Sequence, residues 1–173
     1  MKKELSVDEI VELTRQLADV FKSIVEMRKK NELAKHIQFP KTPPILSEAI
    51  CLKLLKKKII LGELKDFSFE LGKDPPDILA RKKSKTKNIE VKGTGKSGFQ
   101  KFTKNDISCD YLIWIHFDKA FLENDFNNIH IFIVKCPSRY FDKPTNTITL
   151  PTFKKKVPDL IDETFSFTEI FGI

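Results

Sequence analysis

Two runs without apolar–polar alternation limit what this chain can fold into. They are Tyr111-Leu112-Ile113-Trp114-Ile115-His116-Phe117 and Ile129-His130-Ile131-Phe132-Ile133-Val134. Successive side chains of a strand point to opposite faces, so a strand apolar on both needs cover on both sides. Asn124-Asp125-Phe126-Asn127-Asn128 supplies a turn between the two runs. The expectation is a central sheet flanked by helices, an α/β arrangement. At 173 residues the chain predicts a single domain with a substantial core.

The helices must come mainly from the N-terminal third. Ser6 and Glu9 form a capping box, and Ile10, Leu13, Leu17, Phe21 and Ile24 recur at helical spacing behind it. This predicts one long helix from residue 7 to about residue 36, with a break near Lys30-Asn31. Thr42 before Pro43 suits an N-cap and first turn, opening a second helix to about Lys56. Its apolar face is Ile45, Ala49, Leu52 and Leu55, and Glu48 sits at that face. Ile59-Ile60-Leu61 and Phe67-Ser68-Phe69 read as short strands. A short helix is predicted over 103–108, an edge strand over 145–150 and a closing helix over 159–171.

Between these elements lies the stretch that carries chemistry. Asp77-Ile78-Leu79-Ala80 and Asn88-Ile89-Glu90-Val91-Lys92 flank a cationic connection, residues 81–87. This is a hairpin pattern with a long tip. On the second strand Ile89 and Val91 share one face, Glu90 and Lys92 the other. A carboxylate and an ammonium on one face of a core strand are costly to bury without partners. Asp77, opening the preceding strand, can bring a second carboxylate beside them.

Pro76-Asp77 followed by Glu90-Val91-Lys92 resembles the PD-(D/E)xK nuclease superfamily. Glu-x-Lys also occurs at Glu63–Lys65 and Pro-Asp at Pro158–Asp159. Neither of those has its other half in the right order. The predicted order of helix, hairpin, short helix and strands is similar to the αβββαβ core of that superfamily, over about residues 42–135. Residues 1–41 are then an N-terminal helical segment, and 136–173 a C-terminal extension of one nuclease domain. The resemblance implies a restriction-endonuclease-like fold and Mg²⁺-dependent hydrolysis of DNA. Asp77 and Glu90 would hold the metal, and Lys92 would be catalytic. Such enzymes often carry a glutamate on the helix before the first core strand, which makes Glu48 a further metal and catalytic candidate. The compact size looks most like a type II restriction endonuclease. It implies double-stranded DNA as partner and a homodimer, to which the stripe Ile10, Leu13, Leu17, Phe21, Ile24 could contribute. The alternatives are a structure-selective repair or junction-resolving nuclease, a non-catalytic DNA-binding module, and a structural protein with a coincidental hairpin.

Charge agrees with a polyanionic partner: the net charge is +7. After Lys92 the chain continues Gly93-Thr94-Gly95-Lys96-Ser97-Gly98-Phe99-Gln100-Lys101-Phe102, with Lys104 close behind. Lys96, Lys101 and Lys104, interleaved with Phe99 and Phe102, read as contacts to a phosphodiester backbone; an ordinary flexible turn is the plain alternative. The spacing does not match a P-loop. Cys51, Cys109 and Cys136 are scattered, with no CxxC, which argues against a zinc site and for a reducing cytoplasm. His116 and His130, within the apolar runs, read as packed, hydrogen-bonded histidines. No apolar run is long enough to span a bilayer, and Met1-Lys2-Lys3-Glu4 leads into a polar helix rather than an apolar signal segment.

Overall fold

In the computed structural model the described residues are 4–172 without Asp74 and Ser97; Met1, Lys2, Lys3 and Ile173 also lie outside them. The chain begins with α1 (Val7–Lys30) and α2 (Pro44–Lys56). Next come β1 (Ser68–Leu71), β2 (Ile78–Lys82), β3 (Lys85–Thr94) and β4 (Phe99–Gln100). α3 (Lys104–Ser108), β5 (Tyr111–His116), α4 (Ala120–Glu123) and β6 (Ile129–Lys135) follow. The last elements are β7 (Ile148–Thr149), α5 (Leu150–Lys156), β8 (Ile161–Phe165) and α6 (Phe167–Phe171).

Six strands form one mixed sheet in the order β1-β2-β3-β5-β6-β8. β3 and β5 run parallel, joined through β4 and α3, and the other neighbours are antiparallel. The two unalternating runs become β5 and β6, adjacent in the sheet, and every residue of β5 is buried. Cover comes from both sides, as a doubly apolar strand requires. On one face Ile89, Val91, Ile113, Ile115 and Ile131 pack with Leu46, Ile50 and Leu54 of α2, Phe21 of α1 and Phe121 of α4. On the other, Leu112, Trp114, Phe132 and Val134 pack with Phe102, Ile107, Phe141 and Phe153. Trp114 and Phe153 meet edge-to-face there at 5.1 Å between centres, and Phe141 stacks on Phe153.

The α1 stripe belongs to this core. Ile10, Phe21 and Ile24 are buried, Leu13 and Leu17 pack partly buried against the same cluster, and Phe21 stacks on Phe39 at 4.7 Å. The stripe is therefore taken up inside its own domain and is not available as a dimer interface. Among the described residues, no helix is long and apolar enough to cross a membrane.

Several boundaries differ from the sequence-based expectation, each for a local reason. The first helix ends at Lys30 because the Asn31 side chain accepts from Leu33 N (2.9 Å) and starts a 3₁₀ turn over Glu32–His36. The second helix starts at Pro44, not after a Thr42 cap; Thr42 Oγ1 is buried without a hydrogen-bond partner. Residues 59–61 are not a strand, since Leu61 turns left-handed (φ 52°) into a 3₁₀ turn at Gly62–Leu64. The hairpin tip is only Lys83-Ser84, because β2 and β3 stay paired from Ile78↔Ile89 to Lys82↔Lys85. The expected 145–150 strand shrinks to β7, which pairs with β4 outside the main sheet. The expected closing helix divides: Phe167–Phe171 is helical as α6, but Ile161-Asp162-Glu163-Thr164-Phe165 alternates in burial with period two and extends the sheet beside β6 as β8.

Candidate active site

The site forms where β2 and β3 diverge at the start of β2. Gly72, just past β1, donates its N–H to the Asp77 carbonyl (2.8 Å), and a Cβ on Gly72 would lie 1.7 Å from the Pro76 carbonyl oxygen. Only glycine lets the chain close this tightly on the Pro76-Asp77 turn. The Asp77 carboxylate then accepts from Val91 N at 2.8 Å, which places it beside Glu90.

Glu90 is only 6% exposed. Burial, then the charges of Asp77 and Asp106, push its carboxyl up to about 8, with a hydrogen bond to Asp77 adding to the rise and Lys92 opposing it. Two carboxyl groups pressed together out of water favour retention of a proton. Lys92 projects from the same face of β3, and its ammonium meets Asp106 Oδ1 at 2.8 Å. Burial pulls this ammonium down, but Asp106 first, then Asp77 and Glu90, outweigh it and hold Lys92 above the ordinary lysine range.

Asp106 is the functional candidate that reading of the sequence missed. It is 1% exposed and sits in the first turn of α3. Its Oδ2 accepts from Thr103 N (2.6 Å) in a capping box, leaving Oδ1, which has no aligned hydrogen bond, to the Lys92 charge. The Thr103-x-x-Asp106 pattern was visible as a helix start; nothing local showed that its acid also faces β3. Thr94 completes this face of the strand, taking the Trp114 indole N–H at 2.8 Å and sharing a hydrogen bond with His116 Nδ1 at 2.9 Å. Burial, the largest influence, lowers the His116 pKa and favours the neutral ring. His130 bonds Thr164 at 3.2 Å. Both histidines are thus hydrogen-bonded, as the sequence suggested.

The opposite face of β3 is packing. Ile89 and Val91 join the core over α2, and Gly93 lets the helix touch the strand: a Cβ there would stand 1.9 Å from Ser47 Oγ. Glu48 lies on α2 and is buried. Its charge and that of Asp77 both act on the thiol of Cys51, which burial chiefly drives up. Lys96, Lys101 and Lys104 are exposed along the segment after β3, Lys96 standing 5.6 Å over the Phe39 ring.

Among the described residues, no three His, Cys, Asp or Glu side chains gather closely enough to hold an ion between them. The site's donor set is the pair Asp77 and Glu90. That pair fits Mg²⁺, which binds through one or two carboxylates and keeps its other positions for water and substrate phosphate. A divalent charge there would relieve the repulsion between the two carboxylates that raises the Glu90 pKa. No family model, no curated protein and no solved structure matches the chain.

Proposed function

We propose that the protein is a Mg²⁺-dependent endonuclease that hydrolyses DNA phosphodiester bonds, with a centre of the PD-(D/E)xK type. The observation that carries this reading is the convergence of Asp77, Glu90 and Lys92 at one end of a buried strand pair, with Glu90 pushed up to about 8. The order of α2, β1, β2, β3, α3 and β5, with β5 parallel to β3, supports a restriction-endonuclease-like core.

Asp77 and Glu90 would hold the ion, which supplies an acidified water and polarises the phosphoryl oxygen. Lys92 places a fixed positive charge where negative charge develops on the phosphate. Asp106 holds that ammonium charged and in place. The Val91 N–H keeps the Asp77 carboxylate oriented toward Glu90. Lys96, Lys101 and Lys104 give phosphate contacts that fix the strand over the site.

The finer reading is a type II restriction endonuclease acting on double-stranded DNA as a homodimer. One such centre cuts one strand at a time, and a two-fold pair suits a palindromic site. Incubation with plasmid DNA and Mg²⁺ tests the whole reading. Discrete fragments support site-specific restriction. Cleavage confined to branched substrates supports a structure-selective nuclease. Binding without cleavage, or neither, contradicts the enzyme. Sedimentation at micromolar protein with and without DNA tests the dimer.

A further inference from the structure

We infer that Phe99 presents its ring to a nucleobase beside the phosphodiester held at Asp77, Glu90 and Lys92. The inference rests on the phosphodiesterase reading above and names how that site meets the base next to the scissile bond. Phe99 is 53% exposed, while Phe102, three residues on, is fully buried against Trp114, Phe141 and Phe153. The pair of phenylalanines therefore splits into an anchor and an outward ring.

The outward ring is held on a firm mount. Phe99 pairs with Thr149 across the β4–β7 ribbon, and Leu150 N donates to Gly98 O at 2.7 Å. Gln100 turns its amide back to donate to the Gly93 carbonyl at 3.1 Å, and Gly93 directly follows Lys92. The ribbon that displays Phe99 is thus tied to the strand that carries the catalytic lysine.

Charge narrows what could cover the ring. Among the described residues, Lys96, Lys101 and Lys104, like many of the other exposed lysines, have no ion-pair partner, and all three lie within five residues of Phe99 in the chain. An apolar protein surface on Phe99 would leave these cations unmatched, and a bare polyanion would leave the ring wet. A ligand with anionic links and apolar planar faces matches both, which is the chemistry of a nucleic-acid strand with an accessible base. Stacking of this kind is tolerant of sequence because every base has a π-face. The base could be unpaired, or belong to a duplex step opened by an inserted ring.

The test uses the full chain without Mg²⁺ and three probes: single-stranded oligo-dT, a blunt DNA duplex and inorganic polyphosphate. Phe99→Trp adds an exposed reporter beside a single, fully buried native tryptophan, Trp114. The expected result is a change in its emission with DNA but none with polyphosphate at saturation. A response to oligo-dT alone identifies an unpaired base, and a response to the duplex an opened step. Phe99→Ala should weaken DNA binding roughly 5- to 100-fold with an unchanged salt dependence, and Phe99→Tyr should restore it. If wild-type protein binds DNA, Phe99→Ala binds it equally well and the Phe99→Trp emission stays still, the inference fails alone. If wild-type protein binds no DNA, the phosphodiesterase reading fails and takes the inference with it.

Discussion

Glu90 and Thr94 stand on one face of β3, four residues apart and almost equally buried, at 6% and 7% exposure. Their surroundings treat them differently. Thr94 meets the Trp114 indole N–H and the His116 ring, neutral partners that satisfy its hydroxyl. Glu90 lies in the field of two further carboxyl groups, Asp77 and Asp106, and of one ammonium, Lys92. The lesson is that burial of a polar group does not mark a site; burial among partners of the wrong sign does. Satisfied polar groups secure a fold, while an uncompensated carboxylate pair is tolerated where a cation or a reaction makes use of it.

The largest expected effect breaks the Glu90 side of this comparison. Asp77→Ala and Glu90→Ala should each lower Mg²⁺-dependent DNA cleavage by orders of magnitude while circular dichroism stays native. DNA binding should survive, since each change removes a negative charge. Either variant cleaving at the wild-type rate would remove that residue from the metal site.

A second prediction uses stability instead of activity. An acid whose pKa rises on folding binds its proton more tightly in the native state. Wild-type stability should therefore be highest below the ordinary glutamate value of 4.5, fall as pH climbs, and level off above about 8, so far as Glu90 sets it. Glu90→Gln removes this dependence and should be more stable than wild type at pH 9, with a smaller difference at pH 5.5. Urea denaturation at the two pH values measures it. An equal difference at both would mean that Glu90 does not carry the raised pKa.

On the packing face, Gly93→Ala should destabilise by about 1–3 kcal/mol, because the new methyl meets Ser47 Oγ at 1.9 Å. Adding Ser47→Ala should recover part of that loss, and a double-mutant cycle reads the coupling. Additive effects would show that helix and strand do not touch there. A comparable loss of stability, about 1–3 kcal/mol, is expected for Thr94→Val, which leaves the Trp114 N–H unpaired, with cleavage per folded molecule unchanged. A large loss of cleavage would move Thr94 from scaffold to chemistry.

Reading the sequence reached the strongly periodic parts. β5 and β6 were legible because full apolarity demands two-sided cover, and α1 because its stripe follows helical spacing from a capping box. The face shared by Glu90 and Lys92 was legible because strand alternation fixes it. Thr42 failed as a cap because a second proline, Pro44, competes for the first helical position. The expected closing helix held over α6, but its first half pairs with β6 as β8, a tertiary pairing that the local sequence did not show. Asp106 was out of reach for a different reason. Its meeting with Lys92 depends on where the loop after β3 sets down α3, a tertiary fact with no local signature.

In the proposed reaction Lys92, held charged beside Asp106, acts on the phosphodiester at Asp77 and Glu90. Single-turnover cleavage of labelled DNA at saturating enzyme and Mg²⁺, with affinity measured separately, compares wild type with Lys92→Ala most directly. The expected rate for Lys92→Ala is lower by roughly a hundredfold or more with near-native affinity, as for a charge that stabilises the transition state. An unchanged single-turnover rate, or no Mg²⁺-dependent cleavage by the wild type, would contradict it.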